Sequence, residues 1–425
     1  MEDSPHCRVT LKIQKTEIMK HALDGVRVLD FTQLLQGPFA TQMLGDLGAD
    51  VIKIEKAGTG DMYRSMTFFN EWIGEGESPC FLAWNRNKRS LALDLKSAKG
   101  LEIVHKLAMQ ADIVVENFRP GVMDRLGLGY EDLKSKNSRI IYCSASGWGK
   151  DGPYSGRPGQ DLLVQGLTGA VFTSGRADAG AVPLGTALCD QLGAFHIVQG
   201  VLAALYHREK TGEGQEIHVS LLGSAIAFQM QDFFTVHNLH REFQRPLSGI
   251  GHPGNGAPFG IYKTADGYLS IAMNPWNKLV QALGDDSLMQ YADAQTRFDR
   301  RDELFEKIEV ITRTKNTSEW LETMLGLDLW VAEAKPHSAV KEDPQVQHMN
   351  LFQEIDHPKA GRLTITGMPF TMSETPGSIR RPAPMIGEHG REILAELGYD
   401  EASIGQLLEN KTVTVETAES SKSLK

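Results

Sequence analysis

The chain is poor in cysteine and has no long apolar run. Cys7, Cys80, Cys143 and Cys189 lie far apart and form no CxxC pair, which is typical of reduced cysteines in a cytoplasmic protein and gives no zinc signature. No segment approaches the roughly 18–20 consecutive apolar residues that a membrane span needs. The charged start, MEDSPHCRVTLKIQK, also lacks the apolar core of a secretory signal. We therefore expect a cytoplasmic protein with no membrane partner.

An excess of positive charge is also missing. The 425 residues include 44 Lys and Arg against 54 Asp and Glu, a net charge of −10, which argues against a nucleic-acid partner. Hydrophobic residues make up 41% and charged residues 23%, as in ordinary globular proteins, so global disorder is excluded. The length suggests two or three structural units.

Familiar catalytic motifs are absent as well. The 13 histidines contain no HExxH and no HxH motif, and the chain has neither GxSxG nor a Walker loop. We expect no metal site and no tightly bound cofactor. The one GxGxxG match, Gly249 to Gly254, follows Arg-Pro-Leu-Ser instead of a strand and contains Pro253. It therefore predicts a mobile glycine-rich loop and not a dinucleotide site.

The first half of the chain alternates between strand-like and helix-like segments. Val26–Phe31 and Val51–Glu55 predict strands on either side of a helix that starts at Gly37-Pro38. The pattern continues with strands at Ser90–Leu95, Asp112–Phe118 and Arg139–Ser144 and helices at Ala98–Gln110 and Met123–Lys134. It predicts an α/β fold with a doubly wound, mostly parallel sheet that binds ligands at the carboxyl ends of its strands.

Residues beyond 150 predict the domain organisation. Asp190 opens a long apolar helix that runs to about Lys210 and stops at Gly212, and Gln215–Ser220 returns as a strand. We predict a large domain over 22–225, a linker over 226–249 and a small domain over 250–335. Residues 336–400, with a strand near Leu363–Thr366 and a helix at Gly387–Leu397, would return to the large domain. Residues 401–425 are predicted to be a C-terminal tail, whose polar last stretch KTVTVETAESSKSLK is expected to be frayed.

A basic run, Asn85 to Arg89, stands out in the acidic chain, and Lys56, Lys96, Arg119 and Arg125 also follow or precede predicted strands. Such a run is most often a solvated face. Several cations gathered at one edge of the sheet would instead suit a ligand with several phosphates.

Asp190 precedes an apolar helix, so it can serve as an ordinary N-cap. The same position has a chemical use, because a helix amino end favours an anion and can support negative charge that develops beside it. From the residues alone, both interpretations stay open.

Several segments together resemble the class III CoA-transferases, which include formyl-CoA transferase and carnitine CoA-transferase and are related to α-methylacyl-CoA racemase. They include GVRVLDFTQLLQGPFATQMLGDLGADVIKIE, NRNKRSLALDLK, ADIVVENFRPGVMDRLGLGY, ALCDQLGAFHIVQGVLAAL and PAPMIGEHGREILAELGY, in order between about residues 24 and 400. The resemblance implies a discontinuous Rossmann-like large domain, a smaller α+β domain and two chains interlocked as a homodimer.

The resemblance also implies roles for individual residues. Asp190 matches the nucleophilic aspartate, and Gly249, Gly251, Gly254 and Gly256 loosely match the loop that covers the acyl site. A family lysine near the adenine falls on Pro158, for which Arg157 could substitute. The implied contacts with coenzyme A are Gln33, Lys56, Leu93, Lys96, Asn117, Phe118 and Arg125.

The expected function is transfer of CoA from an acyl-CoA donor to a small carboxylic acid, and we expect a dicarboxylic one. The transfer would proceed through an aspartyl anhydride and an aspartyl-CoA thioester. An ionised Asp190 would attack, and backbone N–H groups of its helix start and of the glycine loop would hold the oxyanion. One alternative is a racemase, but Gln160 and Asn274 stand where the racemase has its histidine and glutamate. The other is a CoA-binding protein without catalysis.

Overall fold

The computed structural model describes residues 20–416, so Cys7 lies outside the described residues. The strands are β1 (Arg27–Asp30), β2 (Asp50–Lys56), β3 (Lys88–Leu93), β4 (Ile113–Glu116), β5 (Ile141–Ser146), β6 (Glu216–Ser220), β7 (Gly260–Lys263), β8 (Tyr268–Ile271), β9 (Val331–Glu333), β10 (Phe352–His357), β11 (Gly361–Thr366) and β12 (Val413–Thr414).

The longer helices alternate with these strands. They are α1 (Gln36–Asp46), α2 (Pro79–Leu82), α3 (Ala98–Gln110), α4 (Val122–Arg125), α5 (Tyr130–Lys134), α6 (Asp161–Leu167), α7 (Leu188–Thr211), α8 (Leu221–Phe228), α9 (Met230–Leu239), α10 (Trp276–Leu283), α11 (Ala294–Asp299), α12 (Arg301–Thr312), α13 (Thr317–Leu325), α14 (His337–Val340), α15 (Pro344–His348), α16 (Gly390–Glu396) and α17 (Glu401–Glu409). Short 3₁₀ helices cover Met62–Ser65, Ala170–Phe172, Ala177–Ala179 and Asp286–Tyr291.

A seven-stranded sheet forms the centre of the fold, in the order β12-β3-β2-β1-β4-β5-β6. The strands β1 to β6 are parallel to their neighbours, and only β12 pairs antiparallel, with β3. The strand order reverses between β1 and β4, which stay parallel, and a doubly wound sheet opens a crevice at its carboxyl edge at this point. The predicted α/β fold with a mostly parallel sheet is confirmed.

Successive residues of each strand enter two different cores, because side chains alternate across a sheet. Leu29, Ile52 and Val114 pack with helices α3, α16 and α17 on one face. Val28, Val51 and Ile113 pack with α1 and α7 on the other face. Helices therefore cover both faces, as doubly wound sheets require.

The helix α7 is long and apolar enough, by length and composition, to cross a membrane, and it is the one helix of residues 20–416 that meets this criterion. Its side chains Ala194, Ile197, Val201 and Ala204 are buried in the core against the sheet. The helix ends where Gly212 takes a left-handed conformation with φ of +80°, as the sequence predicts. Its packing identifies α7 as a core helix of the α/β fold.

Residues 249–333 contain a second hydrophobic core. The antiparallel strands β7, β8 and β9 pack with α10, α12 and α13 around Tyr262, Trp320 and Leu279. No helix follows Gly254, since the chain enters β7 instead. The rejection of a dinucleotide motif at Gly249–Gly254 is thus confirmed. The boundaries of the domains stay predictions.

Three local predictions were wrong. The linker predicted over 226–249 is largely helical in α8 and α9. The helix predicted over Met123–Lys134 is split into α4 and α5, because Gly127 between them has φ of +66°. The described part of the predicted 401–425 tail forms α17 and β12, whose apolar residues Ile404 and Val413 are buried in the core of the large sheet.

Residues after 350 contact the large sheet at several points. The hairpin β10–β11 is separate from the seven-stranded sheet. The backbone N–H of Ser378 donates to the Asp46 carbonyl at 2.9 Å, and that of Gly387 donates to Ser90 Oγ at 2.8 Å. The segment after the small core therefore packs against the first part of the chain.

Candidate active site

Asp190 lies in the first turn of α7, beside a cavity whose volume is ≈ 510 Å³. The helix begins at Leu188, and Ala187 occupies the cap position without a side-chain hydrogen bond. The interpretation of Asp190 as a simple N-cap is therefore wrong. Its carboxylate instead belongs to the wall of the cavity, next to the positive end of the helix dipole.

Asp161, at the start of α6, binds the amino end of α7. Its Oδ2 accepts the backbone N–H groups of Cys189 at 2.6 Å and of Asp190 at 3.2 Å. Its Oδ1 accepts the amide of Gln165. These two N–H groups of α7 are therefore occupied, and the expectation that the helix start offers them to an oxyanion is wrong for this pair of donors.

The pKa of Asp190 is raised to about 7, first by burial of its carboxyl group and then by the negative charge of Asp161. Burial disfavours the charged form, and a like charge nearby adds to the effect. The expectation of a fully ionised carboxylate at neutral pH therefore needs correction, because near pH 7 the protonated and ionised forms of Asp190 coexist. A higher pKa also makes the ionised form more basic.

The walls of the Asp190 cavity are largely apolar and aromatic. They include Leu35, Tyr63, Phe68, Pro79, Cys80, Trp84, Leu162, Leu184 and, at the polar end, Gln160, Asp161, Gln165, Thr186 and Gln191. Gln160, the residue at the racemase histidine position, thus lines the cavity. Asn274 does not, because it is held in the small core by bonds with Ala272 and Trp330.

Gln33 and Asn117 meet at the point where the strand order reverses. The Gln33 N–H donates to Asn117 Oδ1, and Asn117 Nδ2 donates to the Gln33 carbonyl, both at 2.8 Å. The next residue, Leu34, has a left-handed backbone with φ of +66°, and its N–H donates to the buried carboxylate of Asp61 at 3.1 Å. The structure therefore joins two predicted CoA contacts in the sheet crevice.

Three predicted phosphate-binding cations are exposed at the same carboxyl edge. Lys56 ends β2, Lys96 follows β3 and Arg125 ends α4. None of the three makes an ion pair with another residue of the described chain, 20–416. Leu93, in contrast, is 1% exposed and its side chain packs in the core, so the predicted contact from this residue cannot come from its side chain.

Phe118 lines a second cavity, of ≈ 350 Å³, beyond the ends of β4, β5 and β6. Arg119 and Lys150 also line this cavity, as does Glu116, whose pKa burial raises to about 8. Lys150 pairs with Glu216 at 3.0 Å. The cavity thus combines an aromatic ring with charged groups of both signs.

The basic run is buried, and the prediction that it binds phosphate was wrong. Arg86 pairs with Asp46 at 2.7 Å, Lys88 with Asp30 at 3.0 Å and Arg89 with Asp50 at 2.7 Å. Buried cations need such partners because removal from water costs several kcal/mol per ion. The run stabilises the start of β3 and leaves no free charge for a ligand.

The glycine-rich loop does not line the Asp190 cavity in the described chain. The N–H of Gly251 donates to the Phe259 carbonyl at 2.8 Å, and that of Gly254 to His252 Nδ1 at 3.0 Å. Near the proposed adenine position, Pro158 accepts a bond from the Trp148 indole at 2.9 Å, and the Arg157 guanidinium lies 3.7 Å from the Tyr154 ring centre.

Sequence reasoning missed the roles of Asp161 and Tyr63. Asp161 follows Gly159-Gln160 at the start of a predicted helix, and a carboxylate there can serve the amino end of another helix as well as its own. Tyr63 stands in a segment without strand or helix period, so no pattern in the sequence indicates that it reaches the cavity.

The family of the chain follows from comparison with known proteins. The model of the family described as CoA-transferase family III matches residues 23–390. The chain belongs to this family and is a CoA-transferase.

Individual relatives agree with this assignment. The chain is 34% identical to the human succinyl-CoA:glutarate CoA-transferase over 91% of its own length and 88% of the relative. It is 35% identical to a succinyl-CoA:mesaconate CoA-transferase of Haloarcula marismortui, over 89% and 97% of the two chains. A crystal structure of a CAIB/BAIF family protein from Brucella suis superposes with a TM-score of 0.80, at 31% identity and with 89% and 100% coverage.

Proposed function

We propose that the protein moves CoA from an acyl-CoA thioester, with succinyl-CoA as the first donor to test, to a small dicarboxylic acid. The main structural support for this proposal is the position of the Asp190 carboxyl group, at the amino end of α7 and in the wall of a cavity of ≈ 510 Å³. The names of the relatives, which act on succinyl-CoA with glutarate or mesaconate, support the choice of acids.

The ionised Asp190 attacks the thioester carbonyl of the donor. A bond forms between an aspartyl oxygen and the acyl carbon, the carbon–sulfur bond breaks, and CoA leaves as a thiolate, which gives an aspartyl anhydride. The thiolate then attacks the aspartyl carbonyl and releases the donor acid, leaving aspartyl-CoA thioester. An acceptor carboxylate reverses the two steps and leaves as the new acyl-CoA.

The coenzyme lies along the carboxyl edge of the sheet in this proposal. Exposed Lys56, Lys96 and Arg125 bind its phosphates, and Gln33 and Asn117 contact the chain that leads to the thioester. Phe118 stacks on the adenine, which the aromatic wall of the ≈ 350 Å³ cavity supports. Apolar walls around Asp190 exclude water, which would otherwise hydrolyse the anhydride.

We also propose that the protein is a homodimer, with the cytoplasm as its compartment. Helices α6 to α9 expose large apolar side chains, among them Leu163, Phe195, Tyr206, Phe228 and Phe234. Monomers rarely expose a contiguous apolar face of this kind. The loop with Gly249, Gly251, Gly254 and Gly256 covers the acyl site only if the small domain moves or a second copy supplies the loop.

The test is intact-mass measurement after mixing the protein with succinyl-CoA, with Asp190→Asn as the matched variant. We expect a covalent adduct in the wild type and none in the variant, together with transfer to glutarate or mesaconate when a panel of carboxylic acids is screened. Full transfer by Asp190→Asn would overturn the proposal. Deuterium uptake at the α-carbon without an acceptor acid would instead favour a racemase. That alternative has less support, because Gln160 and Asn274 stand where the racemase has its histidine and glutamate.

A further inference from the structure

The Asp190 cavity lacks an obvious group to stabilise an oxyanion. Among the described residues that line it, none is Lys, Arg or His. The N–H groups of Cys189 and Asp190 are bonded to Asp161, and the glycine-rich loop lies elsewhere in the described chain. Acyl transfer nevertheless develops negative charge on the carbonyl oxygen, which needs a hydrogen-bond donor placed beside it. A neutral side chain of the cavity can supply that donor.

Tyr63 is the side chain that best meets this requirement. It lines the same cavity as Asp190. The negative charge of Asp190 is the first charge that raises the Tyr63 pKa. Gln165, another polar group of the cavity, is already engaged, since its amide donates to Asp161 Oδ1 and to the Thr186 carbonyl. Tyr63 therefore contributes a neutral hydroxyl to the residues that surround the reacting carboxyl group.

The backbone of Tyr63 is held rigidly. Its N–H donates to Asp61 Oδ1 at 2.9 Å, and its carbonyl accepts Ser78 Oγ–H at 2.6 Å. Asp61 is itself fixed by an ion pair of 2.8 Å with Lys53, and both side chains are fully buried. Such a supported residue can present its hydroxyl without reorganisation during the reaction.

The ring of Tyr63 packs against a small apolar cluster formed by Phe81, Leu82, Ala360 and Ala383. Phenylalanine would therefore preserve the packing and remove only the donor, which makes the substitution a clean test.

We propose that Tyr63 is a catalytic residue whose hydroxyl donates a hydrogen bond to the oxyanion formed when Asp190 attacks the thioester. This inference rests on the proposed function of Asp190. As the aspartyl oxygen bonds to the acyl carbon, the carbonyl electron pair moves to oxygen, where Tyr63 stabilises it. The carbonyl then re-forms, the carbon–sulfur bond breaks and thiolate leaves, while Tyr63 keeps its proton throughout.

The ionisation of Tyr63 is consistent with this role. Burial and the charge of Asp190 raise its pKa to about 12. The hydroxyl therefore stays protonated near neutral pH and acts as a donor, not as a base.

The experiment compares wild type, Tyr63→Phe and a control, Tyr268→Phe, whose side chain is exposed on β8 and does not line the cavity. We expect Tyr63→Phe to lower kcat on the order of 10²-fold with KM for succinyl-CoA unchanged, as loss of one oxyanion donor does. Formation of the Asp190 adduct in a single turnover should slow by the same factor. The control should match wild type in both measurements.

Rate constants are normalised to the fraction of protein that finally carries the adduct, so unfolded molecules lower the number of sites and not the rate. A wild type with neither adduct nor transfer refutes the proposed function itself. An active wild type together with a Tyr63→Phe kcat within twofold of it overturns the role of Tyr63. A rise in KM alone also overturns it, because the bond would then form in the ground state.

Discussion

The two ends of β3 carry cations of the same type with opposite roles. Lys88, at the start of the strand, is fully buried and pairs with Asp30 at 3.0 Å. Lys96, just past its end, is exposed and unpaired within the described residues. One cation holds the fold together, and the other is free for a ligand. We propose that position along the strand, and not residue type, separates the structural cation from the ligand-binding one, since ligands bind at the carboxyl edge of a parallel sheet.

Of the two lysines at the ends of β3, Lys88 should have the larger effect on the free energy of unfolding when it is substituted. Lys88→Met removes the cation that pairs directly with buried Asp30, which costs about 3–5 kcal/mol of the free energy of unfolding. Lys96→Met should change this quantity by less than about 0.5 kcal/mol. Urea unfolding of the two variants measures both values. Equal losses of stability would contradict the division between structural and ligand-binding cations.

Like charges at the Asp190 site should destabilise the fold where opposite charges at Lys88 stabilise it. The folded state raises the pKa of Asp190 to about 7, above its unfolded value, so it binds the proton more tightly. The resulting stabilisation is present at low pH and lost as pH rises through about 7. A rise from 3.8 to about 7 corresponds to about 4 kcal/mol, so Asp190→Asn should exceed wild type in stability by about that amount at pH 8, with little difference at pH 4.

The same unfolding experiment contains its own control, because each protein is measured at both pH values. A gain of stability in Asp190→Asn that is the same at pH 4 and pH 8 would show that packing, and not charge, causes it.

The exposed cations should affect binding and not stability. Lys96→Ala and Arg125→Ala should each raise KM for succinyl-CoA about tenfold, the equivalent of one lost charge-assisted bond of about 1.4 kcal/mol. The thioester of pantetheine, which lacks the phosphates, supplies the control substrate. If KM for that substrate rises equally, the two cations do not bind phosphate.

The smallest expected effect is a shift in pH dependence. Because Asp190 must be ionised to attack, kcat/KM should fall as pH decreases below about 7. Asp161→Asn removes the second cause of the raised pKa, so the midpoint of this fall should move to lower pH. The pH profiles of wild type and Asp161→Asn check the direction. A midpoint that stays in place would mean that burial alone sets the pKa.

The sequence predicted the features that depend on short-range pattern. Alternating apolar segments indicated the parallel sheet. Asp190 before a long apolar helix left both an N-cap and a chemical role open, and the family resemblance alone implied a nucleophile. The basic run was misread because its ion-pair partners are distant in sequence. Arg86, Lys88 and Arg89 pair with Asp46, Asp30 and Glu392, each 40 or more residues away. The pairing of Asp161 with the α7 amides is likewise a contact between separate helices, which no local pattern contains.

Helix α9 was missed for a related reason. Its residues Met230, Phe234 and Leu239 are exposed in the single chain, so the segment lacks the buried apolar stripe that identifies a helix against a core. The structure of such a segment depends on what covers it, and sequence periodicity does not report that.

The strand β12 has a consequence for aggregation. Val413 and Thr414 pair with Leu93 and Ala92 at the outer side of β3, so this short antiparallel strand occupies backbone groups that would otherwise be open to another chain. Uncovered sheet edges are templates for intermolecular pairing. Shortening the protein before residue 411 would therefore endanger its solubility, since the edge of β3 that β12 covers includes the apolar residues Leu91 and Leu93.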